Sequence, residues 1–290
     1  MICSRTSIAD KLMPVLLFAA LLFSPLLMAD DAVSKAAAPS GPIQDNSFLV
    51  EEAYNQEDGV VQHISTFTRL SRSHDWAYTF TQEFPVRGQR HQFSYTVPVV
   101  RNGGIPGAPA GLGDVAINYR YQAIGSGETA VAFSPRFTLL VPSGSVSDGR
   151  GAGGYGLQTN LPLSITAGKR FVTHWNIGGT ILPSARNESH ETAFAKAFNV
   201  GQSVIWLAHP RFNVMLETLW TGSESVVGRG KTQLSHDLLI SPGIRWAHNF
   251  SNGLQIVPGI AVPIGAGPST GEKGLILYLS FEHPWSIFKK

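Results

Sequence analysis

The chain is poor in three things. It has one cysteine, Cys3, no long apolar run beyond its first thirty residues, and little charge: Asp, Glu, Lys and Arg make up 14% of its 290 residues, against about a quarter in soluble domains. Cys3 lies before an apolar run, so it is not placed to carry a lipid anchor, and the rest of the chain has no disulfide to rely on. The best later uncharged stretch, Asn249 to Gly271, contains Pro258, Pro263 and Pro268 and five glycines. That composition excludes a continuous membrane helix. Without Arg5, Lys11 and Asp10 the chain holds 20 basic and 19 acidic residues, a balance that gives no electrostatic case for nucleic acid.

What is present starts with a leader. Arg5 and Lys11 precede "MPVLLFAALLFSPLLMA", Met13 to Ala29. A basic start, an apolar stretch and small residues after it read as a secretory signal peptide over 1–29. Cleavage is expected after Ala29 or within Ser34 to Gly41. An exported chain, low in charge, without a later membrane helix or disulfides, points to an outer-membrane β-barrel.

Period-two alternation supports this. Trp76, Tyr78, Phe80 and Phe84 alternate with Ala77, Thr79, Thr81 and Glu83; Phe93, Tyr95, Val97 and Val99 alternate with Gln92, Ser94, Thr96 and Pro98. In "GLGDVAINYRYQ", Gly111 to Gln122, the start fits G-x-G-x-x-A, yet a loop precedes it and a β-branched, aromatic strand follows. A dinucleotide turn needs the reverse context, so this too is a strand. Further strands are expected at Gly59–Leu70, Thr129–Val141, Leu157–Ala167, Phe171–Leu182, Thr192–Trp206, Phe212–Thr221, Leu234–Ala247, Leu254–Val262 and Gly274–Glu282, twelve in all. From Phe84 onward short turns alternate with longer Gly-, Pro- or polar-rich connections such as "PSGSVSDGRGAGGYG", "PSARNESHE" and "GSESVVGRGKTQ", the periplasmic and extracellular ends of such a barrel. Trp76 and Trp220 then fall at extracellular strand ends, and Tyr119, Tyr121, Trp206, Trp246 and Trp285 near periplasmic ends, as interfacial girdles require.

The expected fold is therefore all-β: a membrane-spanning antiparallel barrel of twelve strands over 59–290. Residues 30–58 form a periplasmic lead-in or a lumen plug. Within them "SFLVEEAYNQ", Ser47 to Gln56, would make an odd thirteenth strand, and its adjacent Glu51 and Glu52 could not both avoid lipid. It is placed outside the wall, where either carboxylate could meet Arg120, Arg136 or Arg245.

Few residues suggest chemistry. "GRGKT", Gly228 to Thr232, lacks the leading glycine and strand of a phosphate loop. "HNFSNG", His248 to Gly253, resembles the H-x-S-N-G stretch of outer-membrane phospholipase A with one residue inserted. It also reads as an Asn-Gly hairpin turn. The nine histidines are scattered without metal-ligand spacing, so neither a metal nor a cofactor is expected. The polar faces are more informative. Asp114, Asn118, Arg120, Arg136, Asn160, His174, Asn176, Asn199, Asn213, Glu217, Asp237, Arg245 and Glu282 all fall there. An arginine facing lipid near the midplane costs about 2–4 kcal/mol, so these residues line the lumen, either to contact a solute or to pair with one another.

"GLGDVAINYRYQ", the Val141 to Ser164 block "VPSG…GAGGYGLQTNLPLS", "GLILYLSFEHPW" (Gly274 to Trp285) and "SFLVEEAYNQEDGVVQHI" (Ser47 to Ile64) together resemble the outer-membrane family named for the meta-cleavage pathway of phenol degradation. That resemblance implies a channel or transporter. "EKGLILYL", continued by Phe281, resembles the signal by which barrels are recognised for assembly, so Glu272 to Phe281 is expected to meet the assembly machinery. The functional expectation is an outer-membrane channel for small organic solutes, aromatic or hydrophobic ones among them, surrounded by lipid in a Gram-negative bacterium. A barrel-embedded lipid hydrolase and a non-conducting structural or sensory barrel are the alternatives.

Overall fold

The computed structural model describes Ile43 and residues 46–250 and 254–284; the leader, Ser251 and Trp285 lie outside the described residues. Twelve wall strands close into one antiparallel barrel. They are β1 (Val60–Leu70), β2 (Trp76–Pro85), β3 (His91–Arg101), β4 (Gly111–Leu112 and Val115–Tyr121), β5 (Val131–Phe133 and Arg136–Val141), β6 (Gly156–Asn160 and Leu163–Ala167), β7 (Phe171–Arg186), β8 (Thr192–His209), β9 (Phe212–Gly228), β10 (Lys231–Trp246 and His248–Asn249), β11 (Gln255–Ala261 and Ile264–Gly265) and β12 (Gly274–Pro284). The first and last strands pair from Val60↔Pro284 to Leu70↔Gly274. This pairing leaves no open edge, as a sheet in lipid requires. No helix among the described residues is long and apolar enough to cross a membrane.

The interruptions have local causes. Proline has no N–H for the ladder, and Pro135, Pro162 and Pro263 stand where β5, β6 and β11 break. The shift in β7 between Leu182 and Ala185 falls at Pro183.

The outer face carries the apolar set. Ile117, Phe137, Leu157, Ile177, Val204, Leu216 and Leu277 are all exposed there. Their inward neighbours Asn118, Thr138, Asn160, Asn176, Ser203, Glu217 and Tyr278 are buried. Trp206 and Trp246 are exposed near the end where Phe171↔Trp206 and Phe212↔Trp246 pair. Trp220 lies about 26 Å further along β9 at roughly 3.3 Å per residue. This separation suits an apolar band about 25 Å tall crossed by tilted strands.

The strands run past that band, and here the pattern-based boundaries need correction. β7 to β10 have 16–18 residues each. "GSESVVGRGKTQ" is not a loop: β9 continues to Gly228 and β10 resumes at Lys231. The joining turn contains Gly230 at φ 67°. "PSARNESHE" similarly shrinks to the turn after Arg186. Above the lipid both faces of a ribbon meet water, so polar residues no longer end a strand. "GRGKT" thus occupies a tight hairpin tip. The last outer connection holds a single 3₁₀ turn, Gly267–Ser269.

A sheet closed in this way resists detergent until heated. The purified protein is expected to migrate faster on gels before boiling than after, with strand-dominated circular dichroism; a helical spectrum would overturn the fold.

Candidate functional site

Residues 46–56 lie inside the barrel. A segment outside the ladder must still satisfy its backbone N–H and C=O groups. The backbone of the wall is already paired, so the partners have to be inward side chains. The Glu217 carboxylate of β9 accepts N–H bonds from Phe48 (3.1 Å), Leu49 (2.8 Å) and Val50 (3.0 Å). The Asn176 amide of β7 accepts from Glu51 N and donates to Glu51 O, both at 2.8 Å. Ser164 of β6 accepts from Ala53 N (2.8 Å). Gln122, just after β4, accepts from Asn55 N and donates to Ala53 O, both at 2.8 Å. Gln92 of β3 accepts from Gln56 N. The strap thus meets β9, β7, β6, β4 and β3 in turn before the chain enters the wall at β1. Ser47 adds a hydroxyl bond to Ser203 of β8 (2.6 Å), and Arg245 binds the Asn46 carbonyl (2.6 Å).

The wall is shaped for this segment. Side chains at Gly243 and Gly259 would come within 2.7 Å of the Phe48 ring, and one at Gly201 within 3.0 Å of Val50. Phe48 also packs on Tyr278, 5.3 Å between ring centroids. The Arg245 guanidinium sits 4.8 Å over that same tyrosine ring.

Charge fixes the middle of the strap. Arg136 grips Glu51 with two nitrogens, Nε at 2.9 Å and Nη2 at 2.5 Å, and Arg120 reaches the same carboxylate at 3.1 Å. Arg120 also binds the Tyr54 carbonyl (2.9 Å) and lies 3.8 Å from Glu52. Burial alone would raise the Glu51 pKa, but the Arg136 and Arg120 charges outweigh it and hold the carboxyl down at about 2.

Eleven of the thirteen residues singled out by parity separate into three groups. Arg120, Arg136, Asn176, Glu217 and Arg245 touch the strap directly. Asn118 supports it from behind, while Asn160, His174 and Glu282 brace neighbouring wall side chains and also meet the strap, at Glu51, at the Tyr54 ring (5.9 Å between centroids) and at Gln56. Asn118 accepts from Arg136 (2.9 Å), Asn160 donates to Asn176 (3.0 Å), His174 shares a 2.7 Å bond with Ser164, and Glu282 accepts from Gln62 (2.6 Å). Asp114 and Asp237 are elsewhere. Asp114 takes the N–H groups of Gly144 (2.9 Å) and Ala152 (2.7 Å) and so ties down the outer connection between β5 and β6. Asp237 binds Ser269 of the 3₁₀ turn at 2.9 Å. Glu272 accepts from Arg72 N (2.8 Å) and Ser73 N (3.1 Å) across the barrel seam. His248 packs on Phe250 at 4.5 Å. Glu83, Gln92, Gln122, Ser164 and Ser203 were not singled out from the sequence, though the same parity places all five inward. A polar inward residue becomes conspicuous only when the strap beside it is known.

Two cavities open among the described residues. One, of about 380 Å³, lies between Phe48–Glu52 and the wall at Thr66, Thr81, Glu83, Thr96, Asn118 and Arg136. The other, of about 370 Å³, lies at the outer mouth among Leu70, Trp76, Ala77, Val100, Asp75 and Arg101.

No family model and no curated protein matches the chain. Solved structures do. The NanC porin aligns over 76% of this chain and 98% of its own at 11% identity, TM-score 0.51. An outer-membrane channel from Pseudomonas putida F1 aligns over 80% of this chain and 98% of its own, also at 11% identity, TM-score 0.55. At such identities the likeness is one of fold.

Proposed function

We propose that this protein is an outer-membrane channel for small organic solutes, aromatic and apolar ones included, whose bore is narrowed by the strap. The observation carrying this reading is the cavity of about 380 Å³ left beside the strap: the strap follows one side of the wall and leaves space along the other. An outer mouth lined by Leu70, Trp76, Ala77 and Val100 suits the apolar part of a solute. The deeper hydroxyl and charged groups suit its polar part. Motifs resembling the phenol meta-pathway family support aromatic solutes. The same reading places the mature chain in the outer membrane of a Gram-negative bacterium after loss of its leader. It also gives Glu272–Phe281 to the assembly machinery, with Leu275, Leu277 and Leu279 turned toward lipid and Ile276, Tyr278 and Ser280 inward.

Purified protein in planar bilayers is expected to show discrete, small conductance steps. A silent bilayer, with phospholipid hydrolysis that disappears in Ser251→Ala, would transfer the function to the hydrolase alternative.

A further inference from the structure

Resting on the channel reading, we propose that the passage beside the strap selects cations, so that among organic solutes it favours those bearing an ammonium group over those bearing a carboxylate. Glu83 of β2 and Glu52 of the strap are the discriminating charges.

The argument starts from which polar groups are already in use. Arg136 spends its nitrogens on Glu51, Asn118, Thr138 and Gln158. Arg120 spends Nη1 on the Tyr54 carbonyl and Nη2 on Glu51; its Nε is buried with no hydrogen-bond partner. An anion entering the cavity therefore finds these guanidinium donors engaged but for that one buried N–H. Glu83 is the opposite case. It is 8% exposed and lines the cavity; no donor is in hydrogen-bonding or ion-pairing reach of its carboxylate among the described residues, and the Arg120 charge that acts on it from further off is shared with Glu51 and Glu52. A buried carboxylate without a donor is costly, and an entering cation relieves that cost. Glu52 faces the same space, its nearest charged partner being Arg120 at 3.8 Å. Thr66, Thr81 and Thr96 add hydroxyl oxygens on the cavity wall, the last two 2.8 Å apart.

The net charge agrees. The charged residues lining the cavity are Arg120 and Arg136 against Glu51, Glu52 and Glu83, two against three. The wall's own share is Arg120 and Arg136 against Glu83, and the strap's Glu51 and Glu52 make the passage negative. Fixed charges lining a narrow bore set which ions pass, most strongly where little water screens them. The strap is thus the source of selectivity as well as of constriction.

The test is the reversal potential of single channels across a steep KCl gradient at mildly alkaline pH and low ionic strength. The wild-type protein is expected to pass K⁺ severalfold better than Cl⁻. Glu83→Gln and Glu52→Gln should each lower that ratio, and the double variant should bring it near one. Both changes keep side-chain size, and the strap retains its bonds to Glu217, Asn176 and Ser164. Glu128→Gln, in the exposed turn before β5, should change nothing. Anion preference in the wild-type protein, or an unchanged ratio in the double variant with conductance steps intact, would overturn the selectivity while leaving the channel in place. Absence of any steps in the wild-type protein would overturn both.

Discussion

Deleting Ser47–Gln56 is expected to raise single-channel conductance several-fold while the barrel still forms and keeps its heat-dependent gel migration. The reason is that the strap adds nothing to the wall. All twelve strands pair without it, and β1 closes on β12 through eleven register partners. Its contacts are instead side chain to backbone, as at Glu217, Asn176, Ser164, Gln122 and Gln92. Loss of the strap returns those groups to water, which can satisfy them. Gly259→Val reaches the same end with the strap present, since a side chain there would meet the Phe48 ring at 2.7 Å. It should shift conductance in the same direction by a smaller factor. An assembled barrel whose conductance does not change on deletion would remove the strap from the conduction path. Failure of the deletion variant to assemble, together with an unaltered Gly259→Val channel, would make the segment part of the folding core.

The second large effect is expected from Arg136→Ala, and it depends on pH. Glu51 is held at about 2, below its usual 4.5. A depressed carboxyl stabilises the seated strap fully above the usual value and loses that contribution as pH falls toward 2. The linkage corresponds to about 3 kcal/mol at neutral pH. The wild-type channel should therefore keep its low conductance through the mildly acidic range. Removing Arg136 leaves burial, the largest influence, less opposed: Arg120 remains at 3.1 Å, but the two-nitrogen grip is gone. Glu51 then takes up its proton at higher pH, and the transition to a noisier, larger conductance should move up by about one pH unit or more, ~1.4 kcal/mol. Arg136→Lys, which keeps the charge but not the paired geometry, should fall between the two. Identical pH profiles for wild type and Arg136→Ala would show that the pair does not hold the strap.

Residue order alone decides the architecture because the physics behind it is local and repetitive. A strand in lipid must alternate, and "QFSYTVPV" or "VAINYRY" can do so in one register only. Phe93 and Ile117 are then outward, with Ser94 and Asn118 inward, whatever the rest of the chain does. Strand count, sidedness and the inward set follow from that rule. The rule fails where lipid ends. Beyond the band nothing forces alternation, so "GSESVVGRGKTQ" looks like a loop and is built as a ribbon. It also fails inside the lumen. Glu51 and Glu52 mark Ser47–Gln56 as a segment that does not belong in the wall, but not where it goes. Its route past β9, β7, β6, β4 and β3 depends on side chains far apart in sequence, Glu217 lying more than 160 residues from the N–H groups it accepts. Parity places Arg120, Arg136 and Arg245 alike. Only closure of the barrel decides that the first two meet Glu51 while the third takes a carbonyl and a tyrosine ring. The small residues are the clearest case. Gly201, Gly243 and Gly259 look like ordinary strand glycines until Phe48 and Val50 are seen to occupy the space that their missing side chains leave.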